Sequence, residues 1–253
     1  MRRSALLFLL PALLAAAQPA VRDMTLTSAD GFILKGTLTV PPGPGRRPVV
    51  LLAPQFNATR AGWQPLVDRL TAKGIATLAL DLRGHGESTA KGGATVAVTP
   101  DFMASAQAVG FDRIPGDLAL AAAWVRKQPG VDGRRLGLAG ASLGAFSVLL
   151  AAPQVHPLVI LALSPAGTGA FGANARLDLA RAVERSRAAV MVMASRGDLD
   201  AAGNEAVLRP IQGVYSRLVD GDAHAMKYLE TDSDLMAGFL GEYLIRFTAG
   251  RAR

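Results

Sequence analysis

Apolar and polar residues alternate between residues 24 and 40, interrupted only by Asp30-Gly31. A period of two broken by a dipeptide suited to a tight turn predicts an antiparallel hairpin with one buried face. Pro41-Pro42-Gly43-Pro44-Gly45 then ends the pattern as a loop. Beyond it the rhythm changes. Val49-Val50-Leu51-Leu52-Ala53 is a continuous apolar run, as in strands covered on both faces. Residues 63–73 have helical spacing and stop at Gly74, a suitable C-cap, and residues 75–80 read as another buried strand. Residues 117–127 are helical and closed by Pro129-Gly130; residues 135–139 read as a strand and 143–152 as a helix. Residues 155–163, 189–194 and 215–219 supply further strands, and 234–247 a closing amphipathic helix.

Buried strands alternating with helices predict an α/β fold: a mostly parallel, doubly covered sheet preceded by the antiparallel hairpin. No internal repeat or second domain interrupts the pattern. Ligands of such sheets sit at the carboxyl ends of the strands, so the chemistry is expected just after them.

The first residues follow another pattern. Arg2 and Arg3 precede an apolar run from residue 5 to 17, broken only by Pro11, with small Ala15 and Ala17 at its end. This is the order of a secretory signal peptide, cleaved after Ala17. The run falls short of the ~20 residues that span a bilayer, and no cysteine is present to accept a lipid. The expectation is an exported protein, periplasmic or secreted, with no stable membrane anchor and one domain over residues 18–253. Half of the 253 residues are hydrophobic, enough for a single core without disulfides. The absence of cysteine also excludes a thiolate nucleophile and zinc–thiolate sites. Loss of Arg2 and Arg3 lowers the formal charge of +7 to +5. Its arginines are spread from Arg22 to Arg253 and form no dense block with interleaved aromatics, so no nucleic acid is expected as a partner.

Candidate chemistry begins directly after the strand ending at Ala139. Gly140-Ala141-Ser142-Leu143-Gly144 is G-x-S-x-G with a strand before it and a helix after, the setting in which the serine stands on a sharp, strained turn. A serine hydroxyl needs a base to take its proton and a carboxylate to hold that base. In this type of fold they follow in the order serine, acid, histidine. Of the three histidines, His85 precedes the serine and His156 barely follows it, which leaves His224 in a loop after the last strand. The strand over 190–194 runs into Ser195-Arg196-Gly197-Asp198-Leu199-Asp200; Asp198 is the expected acid and Asp200 the alternative, while Asp222 suits a local turn beside His224.

With Asp81-Leu82-Arg83-Gly84-His85-Gly86-Glu87-Ser88 before this elbow and the segments 139–144, 194–198 and 221–224 in order, the chain resembles the α/β-hydrolase superfamily. It is similar in particular to small bacterial members related to dienelactone hydrolases and serine esterases. The resemblance covers nearly all of residues 18–253 and implies Ser142, Asp198 and His224 as nucleophile, acid and base. It implies a bracing role for His85. Such enzymes usually carry His-Gly after the first buried strand; here Pro54-Gln55-Phe56 stands there, with Phe56 and Leu143 as the expected oxyanion N–H donors. The change at Gln55 lets a side-chain amide reach the pocket. The segment between residues 163 and 189 is short and rich in glycine and alanine, with a brief helical stretch over 177–185, so little or no cap is expected. Phe171 and Gln55 are the expected substrate-binding residues, with Phe56 and Met226 as further lining candidates. The implied activity is hydrolysis of a small carboxylic ester. A lactone, thioester or peptide hydrolase, or a catalytically silent binding protein, are the alternatives. No metal ligands fall at useful spacing with the histidines and no phosphate loop follows a strand, so no cofactor is expected.

Overall fold

The computed structural model describes residues 17–246. The expected export segment lies outside them apart from Ala17, as does Phe247. The strands are β1 (Ala20–Thr27), β2 (Ile33–Val40), β3 (Arg47–Ala53), β4 (Ala76–Leu80), β5 (Ala90–Lys91), β6 (Ala94–Thr95), β7 (Val131–Ala141), β8 (Val159–Leu163), β9 (Ala189–Ser195) and β10 (Val214–Val219). The helices are α1 (Gln64–Ala72), α2 (Phe102–Val109), α3 (Ile114–Val125), α4 (Leu143–Val155), α5 (Ala175–Ser186), α6 (Leu199–Leu208) and α7 (Leu229–Gly241).

Eight strands form one sheet in the order β1-β2-β4-β3-β7-β8-β9-β10, and β5 and β6 form a separate ribbon. β1 and β2 are the antiparallel hairpin, and β2 meets β4 antiparallel. From β4 to β10 every pairing is parallel. This is the α/β-hydrolase architecture that the resemblance implies. The apolar runs explain the burial: β4 and β8 are buried at every residue, and β3 at all but its first. On one face Val50 and Leu52 pack with Trp63, Leu66 and Leu70 from the α1 side and Met236 and Leu240 of α7. On the other, Val49 and Leu51 pack with Leu118 of α3, Phe146 and Leu149 of α4 and Leu179 of α5.

Several boundaries differ from the sequence expectation. α4 runs on through Val155 and β8 begins only at Val159, because His156 takes a left-handed C-cap conformation at φ 52°. The closing helix starts earlier, at Leu229, and ends at Gly241, followed by a π-helical turn over Glu242–Arg246. Three features had no sequence prediction: the β5–β6 ribbon, α2 and α6. α2 is short and alanine-rich, yet its ends are well specified. Asp101 accepts a hydrogen bond from the Ala104 N–H at 2.9 Å, and Gly110 caps the other end at φ 77°.

Candidate active site

Ser142 stands between the end of β7 and the start of α4, with φ 51° and ψ −115°, a conformation that residues with a side chain rarely adopt. The flanking glycines make this turn possible by packing rather than by flexibility. A Cβ at Gly140 would lie 2.4 Å from the Gly144 carbonyl oxygen, and one at Gly144 would lie 2.2 Å from the Ala53 carbonyl oxygen. The Ser142 N–H bonds to the Leu163 carbonyl at 2.8 Å, tying the elbow to the adjacent strand β8.

The loop after β10 brings His224 to the same place. Its Nδ1 lies 2.5 Å from Asp198 Oδ2. Asp198 is also the N-cap of α6, its Oδ1 accepting from the Ala201 N–H at 3.4 Å, so one carboxylate both starts a helix and holds the imidazole. Ser142 and His224 line one cavity of about 510 Å3, together with Gln55, Phe56, Phe102, Met103, Gly167, Gly169 and Asp200. Among the described residues no hydrogen bond joins Ser142 to His224. Catalytic contacts of this kind are often long without substrate and tighten on binding.

The histidine loop is held from several sides. Ser195 Oγ and Tyr228 OH donate to the Ala223 carbonyl at 2.7 and 3.0 Å, and the Ala225 N–H donates to Ser164 Oγ at 2.9 Å. The Met226 N–H donates to Gln55 Oε1 at 3.1 Å. Gln55 therefore joins the loop after β3 to the loop carrying His224. With its carbonyl end occupied, the polar group it has left for the cavity is the NH2 donor. The backbone N–H groups of Phe56 and Leu143 have no acceptor among the described residues, as a pair of oxyanion donors requires.

Other expected site residues are placed differently. Asp200 lines the cavity, but its oxygens are engaged: Oδ2 accepts from the Gly167 and Thr168 N–H groups at 2.8 and 3.1 Å, and Oδ1 from Thr168 Oγ1 at 2.7 Å and Arg176 Nη2 at 3.0 Å. Burial pushes this carboxyl up, but the bonds from Thr168 and Gly167 and the Arg176 charge outweigh it and hold it below the usual range. The alternative acid thus organises the rim rather than His224. Phe171 does not line the cavity; its ring stacks on Phe146 at 4.7 Å. Met226 is likewise outside the lining, partly buried against the core on the α1–α7 side. The apolar wall comes instead from Phe102 and Met103 at the start of α2. The cover thus originates between β4 and β7, not only after β8. Asp101 followed by an apolar pair, with Gly110 eight residues beyond Phe102, was the signal available for it.

His85 is buried, its Nδ1 at 2.9 Å from the Arg83 carbonyl, and burial pushes its pKa down, so it stands as a neutral ring bracing the loop below Phe56. A larger recess, about 950 Å3, opens near the starts of β9 and β10; its lining contains no histidine to serve as a base. No group of three or more histidine, aspartate or glutamate side chains suited to a metal ion occurs among the described residues.

A family model described as serine aminopeptidase, S33, matches residues 44–194, more than half of the chain, and the chain belongs to this family. The matched stretch includes Ser142 and ends before Asp198 and His224. Two curated proteins of Escherichia coli, each called an uncharacterized 31.7 kDa protein in the traX-finO intergenic region, are 32% and 31% identical over 127 residues. The alignment takes in 50% of this chain, and the chain spans only 39% of the length of these relatives. Solved structures with the same fold include an acetyl xylan esterase from a Paenibacillus species (TM-score 0.69, 18% identity, 93% of this chain and 87% of that one). A dienelactone hydrolase from Anabaena variabilis aligns with a TM-score of 0.65 at 20% identity, over 90% of this chain and all of that one. At such identities the likeness concerns the fold.

Proposed function

We propose that this chain is a serine hydrolase that cleaves a small, uncharged carboxylic ester. The observation that carries this reading is the Asp198–His224 contact at 2.5 Å, with His224 and Ser142 on its strained turn lining one cavity. In the proposed reaction His224 Nε2 takes the Ser142 proton as Oγ attacks the ester carbonyl. Asp198 Oδ2 accepts the bond from Nδ1–H and keeps the ring in the required tautomer. The N–H groups of Phe56 and Leu143 stabilise the negative oxygen of the tetrahedral intermediate. His224 then gives its proton to the departing alcohol, leaving Ser142 acylated. Water activated by the same imidazole releases the acid and restores the serine.

The lining argues for an ester rather than a peptide with a free amino terminus. Asp200 is the cavity's one carboxylate, and the rim and Arg176 already take up its oxygens, so it offers little to an incoming ammonium group. Phe56, Phe102 and Met103 suit an apolar acyl or alcohol group. The segment 1–17 supports the further proposal that the enzyme works outside the cytoplasm. The test is turnover of neutral p-nitrophenyl esters beside aminoacyl p-nitroanilides. The proposal expects ester cleavage that Ser142→Ala abolishes; preferential cleavage of the anilides, or ester cleavage surviving in Ser142→Ala, would overturn it.

A further inference from the structure

Three of the arginines that are scattered along the sequence meet in the fold. Arg46, Arg126, Arg134 and His156 line one cleft of about 690 Å3 with Asp132 and Gly133. Each comes from a different element end: Arg46 immediately before β3, Arg126 after α3, residues 132–134 at the start of β7, and His156 after α4. Ser142 follows the opposite end of β7, about 30 Å along the strand at ~3.3 Å per residue.

Arg46 and Arg126 are anchored without being neutralised. Arg46 Nε donates to the Val131 carbonyl at 2.6 Å. Arg126 donates from Nε to the Gly133 carbonyl at 3.1 Å and from Nη2 to the Val155 carbonyl at 2.6 Å. Among the described residues neither Arg46 nor Arg126 lies within ion-pair distance of a carboxylate. Asp132, the one acid in the lining, is already held by Arg135 at 2.8 Å, by the Arg134 N–H at 3.2 Å and, more loosely, by the Arg134 side chain at 3.7 Å. Half-burial pushes the Arg126 guanidinium down from its ordinary value, which marks a cation partly removed from water with no acid beside it. Gly133 shapes the floor: a Cβ there would lie 2.7 Å from Arg126 Cγ and 2.8 Å from its Cα, so the glycine lets the arginine stem rest on the strand.

We propose that this cleft binds a phosphate group, gripped by the Arg46 and Arg126 guanidinium forks with Arg134 and His156 at its rim. Backbone carbonyls fix one edge of each guanidinium and leave other N–H groups to bond, and a tetrahedral oxyanion offers several acceptor oxygens to two such forks. Apart from the His156 imidazole at its rim, the cleft has no aromatic side chain on which a nucleobase could stack. Its volume exceeds what one phosphate fills, so it also admits a phosphate carried on a larger molecule, such as a phospholipid headgroup.

The test compares the purified chain with Arg46→Gln and with the Arg46→Gln/Arg126→Gln double variant at low salt. Each is titrated calorimetrically with inorganic phosphate and sedimented with vesicles of phosphatidylcholine, alone or mixed with phosphatidylglycerol. Far-UV circular dichroism and the thermal midpoint check folding; Arg46 is exposed, so its single variant keeps the test valid if the double variant unfolds. The expected result is saturable binding, weakened about tenfold by Arg46→Gln and lost in the double variant. Binding of inorganic phosphate identifies a free anion as sufficient. Binding confined to phosphatidylglycerol vesicles identifies the headgroup. Absence of both, or binding that Arg46→Gln leaves unchanged, overturns the proposal.

Discussion

At the scale of single residues, the candidate active site depends on backbone conformations that are unfavourable in isolation and held in place by packing. Ser142 at φ 51° and Ala225 at φ 50° both carry side chains at positive φ, the first being the expected nucleophile itself and the second lying next to the expected base. The Ala53 carbonyl leaves no space for a Cβ at residue 144, so Gly144→Ala should destabilise the fold by at least about 2 kcal/mol. Urea unfolding measures this, and an unchanged midpoint would contradict the packing argument. Asp198→Asn separates the two duties of that residue. Asparagine still caps α6 but no longer holds the imidazole in the required tautomer, so the variant should fold normally and lose about 10⁴-fold in kcat on a p-nitrophenyl ester. A kcat left intact in Asp198→Asn would assign Asp198 to the cap alone. The placement of Ser142, Asp198 and His224 near one another was legible in the sequence because each follows a strand and they occur in a fixed order. Ser164, Ser195 and Tyr228 were not. Their hydroxyls matter only through contacts with Ala223 and Ala225, which lie far from the two serines in sequence. Ser164→Ala and Ser195→Ala should each lower kcat severalfold with little change in KM, since they loosen the loop behind the base rather than the cavity wall. Steady-state kinetics separates the two constants.

At the scale of elements, two short segments wall an open cavity at the carboxyl ends of the strands. α2 supplies Phe102 and Met103, and the turn after β8 supplies Gly167 and Gly169. Asp200 at the start of α6 fixes that turn through Gly167 and Thr168 and joins it to α5 through Arg176. Replacing Asp200 by asparagine should cost about 1–2 kcal/mol near neutral pH, modest because the side chain is partly exposed, and should raise KM by freeing the rim. The pH dependence has a defined sign. The folded-state pKa of Asp200 is depressed, so its stabilisation is complete above the ordinary carboxylate value of about 4 and is lost as pH falls through the lower folded value. Unfolding midpoints of wild type and Asp200→Asn should therefore differ at pH 7 and converge in strong acid; a difference that persists there would exclude charge as the cause. The long buried strands, α1 and α3 were legible because apolar runs and helical spacing extend over many residues. α2 and α6 are short and rich in alanine, so their periodicity is weak, and only their caps mark them: Asp101 and Gly110 for α2, Asp198 for α6.

At the scale of the whole molecule, the sheet separates two kinds of surface. The carboxyl ends of the strands hold the Ser142 cavity, and the opposite end of β7 holds the arginine-lined cleft. Net charge was plain from composition, but its concentration was not. Arg46, Arg126 and Arg134 are brought together by β3, α3 and β7, and their sequence spacing alone gives no sign of it. Among the described residues no helix is long and apolar enough to cross a membrane. If residues 1–17 are an export signal, the protein recovered from outside the cytoplasm should begin at Gln18, as N-terminal sequencing would reveal; a chain beginning at Met1 there would contradict cleavage. The central claim concerns an activated serine, and a fluorophosphonate probe reports on that group directly. Applied to the folded protein beside Ser142→Ala and His224→Gln, the probe should label wild type rapidly, His224→Gln far more slowly and Ser142→Ala not at all. Wild-type protein that is folded and stays unlabelled, or labelling that persists in Ser142→Ala, would contradict the account.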